Sequence, residues 1–211
     1  MSEFQQLFCI INRYMKILFI NGENKENGLI QQAFSYMQSR CDENGIAYDT
    51  IMVDEHHDHP CTACGKCIKR RACIFEGVNE TLNKADEYTG VIVGGTVLYD
   101  SLNRETVSFM DRLMRAGNER FSYKVGASLI SARKGKKEEA YTQLNHYMDL
   151  ADMVVVGNQN CGTLTGNEED EMIITTVIGN IIWLMKAIEL ANDNKIKHSI
   201  NPVLKITDFM R

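Results

Sequence analysis

Proline is nearly missing from this chain: Pro60 and Pro202 are the two it has in 211 residues. Few segments are therefore barred from helix or strand by a lost backbone N–H. A surplus of positive charge is lacking too. Lys and Arg number 23 against 28 Asp and Glu, a formal net charge of −5 with pI about 5.6, so no global basic field exists for nucleic acid. No uninterrupted apolar run reaches the length of a membrane span, and the reading is of a protein without one. Residues 1–14 hold one short apolar stretch, Leu7–Ile11, closed by Asn12 and Arg13, which is too brief for a signal peptide. They read as an N-terminal extension ahead of a single domain, 15–211. Neither G-x-G-x-x-G nor G-x-x-x-x-G-K-[ST] occurs, so dinucleotide and Walker sites lack a motif. No Ser-His-Asp or Cys-His pairing can be assigned, which leaves hydrolase chemistry unsupported.

Cysteine, by contrast, is concentrated. Cys61, Cys64, Cys67 and Cys73 form a C-x2-C-x2-C-x5-C run on a turn containing Gly65. Consecutive x2 gaps suit a cubane 4Fe-4S cluster, whose irons need thiolates from converging directions. A four-thiolate zinc site usually separates its pairs, and stays open as an alternative with reduced thiols in an ordinary loop. Lys66, Lys69, Arg70 and Arg71 around the run would lower thiolate pKa values and offset cluster charge, or simply form a solvated face. Seven cysteines without an export signal read as a reducing cytoplasm. Cys9, Cys41 and Cys161 are singletons, Cys41 a core candidate. The run Glu55-His-His-Asp-His59 reads as a solvated loop or a transition-metal site.

Five apolar runs read as strands: Lys16–Asn21, Ile46–Val53, Gly90–Gly94, Lys124–Ile130 and Met153–Gly157. Val91-Ile92-Val93 and Val154-Val155-Val156 are continuous and β-branched, as strands buried on both faces are. Helix-period segments alternate with them: Leu29–Asn44, Val78–Tyr88, Arg104–Ala116, Lys136–Leu150 and Glu168–Asn192. This pattern predicts an α/β fold with a five-stranded parallel sheet, order 2-1-3-4-5, and helices on both faces. Ligands of such sheets bind at the carboxyl ends of the strands. The Gly- and Asn-rich turn Gly22–Gly28 opens onto a helix N-terminus that can face a phosphate. The cysteine run follows strand two and is expected on the same rim.

Met15-Lys-Ile-Leu-Phe-Ile-Asn-Gly22, the cysteine run, and Gly94-Gly-Thr-Val-Leu-Tyr-Asp-Ser101 leading to Phe109-Met-Asp-Arg-Leu113 carry a resemblance. Together they resemble the flavodoxin-like NAD(P)H-dependent FMN reductases, in their iron–sulfur flavoprotein branch. The likeness runs from Met15 to Arg211. It implies a flavodoxin-like three-layer sandwich and FMN held by three loops. The first offers Gly22, Asn24, Lys25, Asn27, Gly28, Leu29 and Ile30 to the phosphate. The second offers Thr96, Val97, Leu98, Tyr99, Asp100 and Ser101 to the ring. The third offers Ser131, Ala132 and Arg133 to the ring edge, or with Lys134 to a nicotinamide nucleotide; its other reading is a charged turn. Tyr99 reads either as an aromatic face for the ring or as a half-buried loop residue.

The resemblance also implies NAD(P)H or a reduced carrier as donor, with a small redox partner or a quinone-like aromatic acceptor. It implies Cys61, Cys64, Cys67 and Cys73 as metal ligands and assembly as a homodimer or tetramer. The first loop departs from the family's usual Gly-Ser-Pro-Arg-Lys-Asn-Gly-Asn-Thr at Glu23, Leu29 and Ile30, which predicts weakened FMN binding. Two unit charges ~4 Å apart at an effective dielectric of ~20 repel by about 4 kcal/mol, about three decades of affinity. Lys25 can offset this, Glu23 can point to water, or Glu23 can itself occupy the helix N-terminus. The rival reading is a flavin-free, metal-binding or interaction protein on the same fold.

Overall fold

A computed structural model of the chain describes residues 15–23, 25–53, 59–132 and 137–196. The readings placed on the N-terminal extension with Cys9, on Asn24, on residues 55–58, on Arg133 and Lys134, and on the tail beyond 196 lie outside the described residues.

Strands β1 (Lys16–Asn21), β2 (Ala47–Met52), β3 (Gly90–Thr96) and β4 (Val125–Ser131) form a parallel sheet. The order is β2-β1-β3-β4-β5, with two short strands, β5 (Val154–Val155) and β6 (Thr163–Leu164), sharing the place beside β4. Val154 and Val155 pair with Val125 and Gly126, while Thr163 and Leu164 pair with Ile130 and Ser131. This is the parallel α/β sandwich that the alternation predicts, of the flavodoxin-like kind that the resemblance implies, with its fifth strand cut in two. The cut has a local cause. Asn160, Cys161 and Gly162 take left-handed φ values of 52°, 50° and 55°, which extended backbone cannot accommodate.

Helices α1 (Leu29–Glu43) and α6 (Glu169–Asp193) cover one face of the sheet. Helices α4 (Arg104–Gly117) and α5 (Lys137–Asp149) cover the other, with the short α2 (Lys66–Arg70) and α3 (Asn79–Asn83) outside α4. Alternate side chains of one strand serve different cores. Ile17 and Phe19 pack with Phe34, Val177 and Ile181, whereas Leu18 and Ile20 join the cluster of Phe109, Leu113 and Met148. Each such side chain, fully buried, contributes about 1.5–3 kcal/mol of transfer free energy.

One sequence reading needs correction. Val78–Tyr88 is not one helix: α3 ends at Asn83 and a 3-10 turn follows at Ala85–Glu87. Tyr88 must be extended to enter β3, and its hydroxyl is held by the Asp49 carboxylate at 2.7 Å. The chain also has a helix, α6, that is long and apolar enough to cross a membrane by length and composition. Scattered Thr, Asn and Lys interrupt every apolar run in it without lowering its average. In this fold α6 is a sandwich layer, with Ile173, Val177, Ile178, Ile181 and Met185 buried.

Candidate functional site

Four loops meet at the carboxyl rim of the sheet around a cavity of about 760 Å3. That volume lies within the ~300–1,000 Å3 usual for small-molecule sites. The loop after β1 brings Glu23, Lys25, Asn27, Gly28 and the start of α1, with Leu29 and Gln32. Thr96, Val97 and Leu98 come from the β3–α4 connection, Ser131 from the end of β4, and Thr165 and Gly166 from the segment between β6 and α6.

The first two loops are bound into one unit. Asn103 Nδ2 donates to the Gly22 carbonyl at 2.8 Å, and its Oδ1 accepts from Thr106 Oγ1 at 2.8 Å and Thr96 N–H at 3.3 Å. The Gly22 N–H donates to the Gly94 carbonyl at 2.8 Å. A Cβ at Gly22 would stand 1.8 Å from Thr106 Oγ1, so this approach requires glycine. Asp170, near the start of α6, accepts from Thr165 N–H at 3.0 Å and Gly166 N–H at 2.7 Å, which fixes the fourth loop.

Glu23 takes the third of the orientations open to it. Its side chain is buried, and Oε2 accepts from the N–H of Ile30, the second residue of α1, at 2.8 Å. The carboxylate thus caps a helix whose own N-cap, Gly28, has no side chain to offer. Asn21 Oδ1 accepts from the Glu23 N–H at 2.9 Å, and Asn21 Nδ2 donates to Gln31 at 3.0 Å, which holds the turn that aims the side chain. At the end of β3, Thr96 Oγ1 is buried with no hydrogen-bond partner among the described residues.

Of the residues expected to touch a flavin, Lys25, Asn27, Gly28, Leu29, Thr96, Val97, Leu98 and Ser131 line the cavity. Ile30 is core and presents only its N–H, while Gly22 and Ala132 serve as backbone ties. Tyr99 stands 93% exposed and is not part of the cavity wall, nor are Asp100 and Ser101. The reason is a tight turn in which Leu98 N–H donates to the Ser101 carbonyl and throws the Tyr99 ring outward. Glu23, Gln32, Thr165 and Gly166 are additions. The last two follow the fifth strand, and the same carboxyl-edge rule that singled out the other loops would have found them.

Cys61, Cys64, Cys67 and Cys73 line a second, small cavity of about 20 Å3 together with Phe75, Arg112 and Arg115. Arg112 ties the loop at both ends. Its guanidinium donates to the His59 carbonyl at 3.1 Å and to the Phe75 carbonyl at 2.9 Å, and also to that of Glu76. Asn79 closes the far side, accepting from Cys73 N–H at 2.8 Å and donating to the Cys73 carbonyl at 3.1 Å. The donors fit a thiolate-ligated group in kind. As arranged, no three His, Cys, Asp or Glu among the described residues stand together at metal-holding distance. Cys67 Sγ is instead hydrogen-bonded to the Arg115 carbonyl at 3.5 Å, and Cys64 is exposed. Lys66, Lys69, Arg70 and Arg71 face solvent, so the cations on the cavity wall are Arg112 and Arg115.

The two cavities share no lining residue. Arg112 and Arg115 lie ~12 and ~16 Å along α4 from its rim end at 1.5 Å per residue. The expectation that the cysteine loop would point at the same rim is corrected accordingly: its described residues, from His59 to Glu76, are held against the flank of α4 by Arg112.

A family model described as NADPH-dependent FMN reductase matches residues 15–163. The chain is similar to an iron-sulfur flavoprotein of Methanosarcina thermophila, 28% identical over 191 residues, 87% of this chain and 100% of that one. It is similar also to an iron-sulfur flavoprotein of Methanocaldococcus jannaschii, 27% identical over 154 residues, 69% and 78% of the two chains. Among solved structures, a flavodoxin from the domain Archaea superposes with TM-score 0.56 at 15% identity, over 82% of this chain and 99% of that one. That last likeness is one of fold.

The cysteines differ in reactivity. The Lys66 backbone N–H holds the Cys64 thiol below its ordinary 9.0, whereas burial pushes Cys41 up to about 12. In metal-free reduced protein, iodoacetamide should modify Cys64 with a pH midpoint below 9.0, and Cys41 only after denaturation. Peptide mapping across a pH series reads both; a Cys64 midpoint at or above 9.0 contradicts the assignment.

Proposed function

The chain belongs to the NADPH-dependent FMN reductase family, and from that membership we propose a flavin-dependent oxidoreductase that also carries an iron–sulfur cluster on its cysteine loop. The observation that carries the flavin reading is the 760 Å3 cavity at the carboxyl rim, built by the loops that the family resemblance assigned to flavin. A bound flavin supplies hydride acceptance and one-electron release, and a four-cysteine cluster supplies one-electron carriage, so no protein acid or base need be named.

The residues of this chain position and exclude. Val97 and Leu29 give the cavity apolar wall, Ser131 and Thr96 give it hydroxyls, and the Asn103 clasp holds the first two loops at a fixed separation. Thr96 Oγ1 in particular is a buried oxygen whose partner a ring carbonyl or N–H can be. Leu98 and Tyr99, 74% and 93% exposed beside the opening, form an apolar lip suited to a quinone-like or aromatic acceptor. NAD(P)H or a reduced carrier is the donor in this reading, by family.

The cluster reading is supported by the four thiols on one cavity and by the names of the relatives. A cytoplasmic setting suits the free thiols. Assembly as a homodimer or tetramer is supported by Met172, Trp183 and Leu190, all exposed on α6. Their spacings of eleven and seven residues put them on one stripe.

Protein purified without oxygen should be coloured by flavin and contain iron with acid-labile sulfide; Cys67→Ala should abolish iron and sulfide while sparing the flavin bands. Zinc in place of iron overturns the cluster, and a colourless protein that titrates with no flavin favours the flavin-free rival. Thr96→Val should have opposite effects on fold and ligand. It should stabilise flavin-free protein by about 1 kcal/mol in urea unfolding, and weaken flavin binding by roughly tenfold. Loss of both, or of neither, removes Thr96 from the flavin wall. Trp183→Asp should lower the sedimentation coefficient to that of a monomer, and an unchanged value clears α6 of any part in assembly.

A further inference from the structure

The place where an anion would meet α1 is already taken. Glu23 Oε2 sits 2.8 Å from the Ile30 N–H, in a side chain that is 5% exposed. It also presses on the backbone, since a Cβ built at Gly28 would lie 2.1 Å from Oε2 and 2.2 Å from the carboxyl carbon. Asn21 and Gln31 fix the turn behind it, so the carboxylate is held rather than resting there. Among the described residues of the cavity wall the charges are one anion, Glu23, and one cation, Lys25. A terminal phosphate would bring up to two further negative charges to a wall that is already balanced. The rest of the cavity remains open, with a volume of about 760 Å3 and the unpartnered Thr96 Oγ1 at the end of β3.

We propose that this chain selects a flavin that lacks the 5′-phosphate, of the riboflavin class, with Glu23 serving as the resident anion at α1. A ribityl terminus ends in hydroxyls, and a hydroxyl donates to a carboxylate where a phosphate repels it. Gln32, one turn into α1 and also on the wall, offers a second polar contact to the same chain end. The inference rests on the flavin reading above and refines it: the ring site is kept, and the phosphate seat has become part of the protein.

The experiment compares riboflavin with FMN on the full chain, by quenching of flavin fluorescence during titration. The unmodified protein should bind riboflavin at least about tenfold more tightly than FMN. Glu23→Ser, which vacates the helix end, should reverse that order. Glu23→Gln keeps an acceptor for the Ile30 N–H without the charge, and should bring the two affinities together while preserving the thermal unfolding midpoint. Flavin extracted from freshly purified protein should run chromatographically as riboflavin. If the unmodified protein binds FMN as tightly as riboflavin or more so, the selection is refuted while the flavin site stands. If no form of the protein saturates with either flavin, the flavin reading itself falls and this inference with it.

Discussion

One side-chain amide decides whether there is a site at all. Asn103 stands just before α4, bonds to the carbonyl of Gly22 across 81 positions of sequence, and receives the Thr96 N–H at the end of the preceding strand, β3. Parallel strands bring their carboxyl ends to a common rim but do nothing to hold the loops there. Backbone groups left over where a ladder ends must find partners, and buried ones without partners cost about 1–3 kcal/mol each. Asn103 supplies both a donor and an acceptor to that need. The cavity is the space that remains once the two loops are joined, and Asp170 performs the same service for the fourth loop.

Arg112 plays the equivalent part for the cysteine loop, but with charge. A guanidinium has donors in a fixed fork, and here they reach carbonyls on both sides of the four cysteines, with the Phe75 ring 5.9 Å from its centre. His59 stacks on Phe75 at 4.3 Å, so the entry and exit of the loop lie against each other. The thiols are thereby gathered by a residue that is not itself a ligand. Their cavity is tied to the flank of α4, and the rim cavity to its beginning. One helix therefore carries both anchors, and its rigidity sets the separation between them.

How much of this was legible beforehand divides along physical lines. Strand order and the two cores follow from β-branched runs and helical spacing, because burial on both faces demands unbroken apolar sequence. Lys25, Gly28, Thr96 and Ser131 line the rim cavity because loops at strand ends are placed by topology. Tyr99 stands outside that wall, since a turn four residues long decides by its backbone bonds which side chain faces in. The roles of Asn103 and Arg112 as ties between distant loops were not legible. Their partners are 81 and 53 positions away, and a single sequence holds no signal for such pairs. The split of the fifth strand was not anticipated: the apolar run ends at Gly157, and the left-handed residues Asn160–Gly162 lie beyond it. Glu23 was legible as an anomaly, and its orientation among the three possible ones required coordinates.

The contact between Glu23 and Gly28 has a consequence for how this loop can change over generations. The two positions are chemically coupled: a methyl group at 28 and a carboxylate at 23 compete for the same volume. An alanine arriving at 28 first is a collision that uncaps α1, whereas a smaller residue arriving at 23 first makes room for it. The route from this loop to one that admits larger residues at 28 is thus one-way in order, through position 23. So long as the glutamate remains, glycine at 28 is retained for want of space.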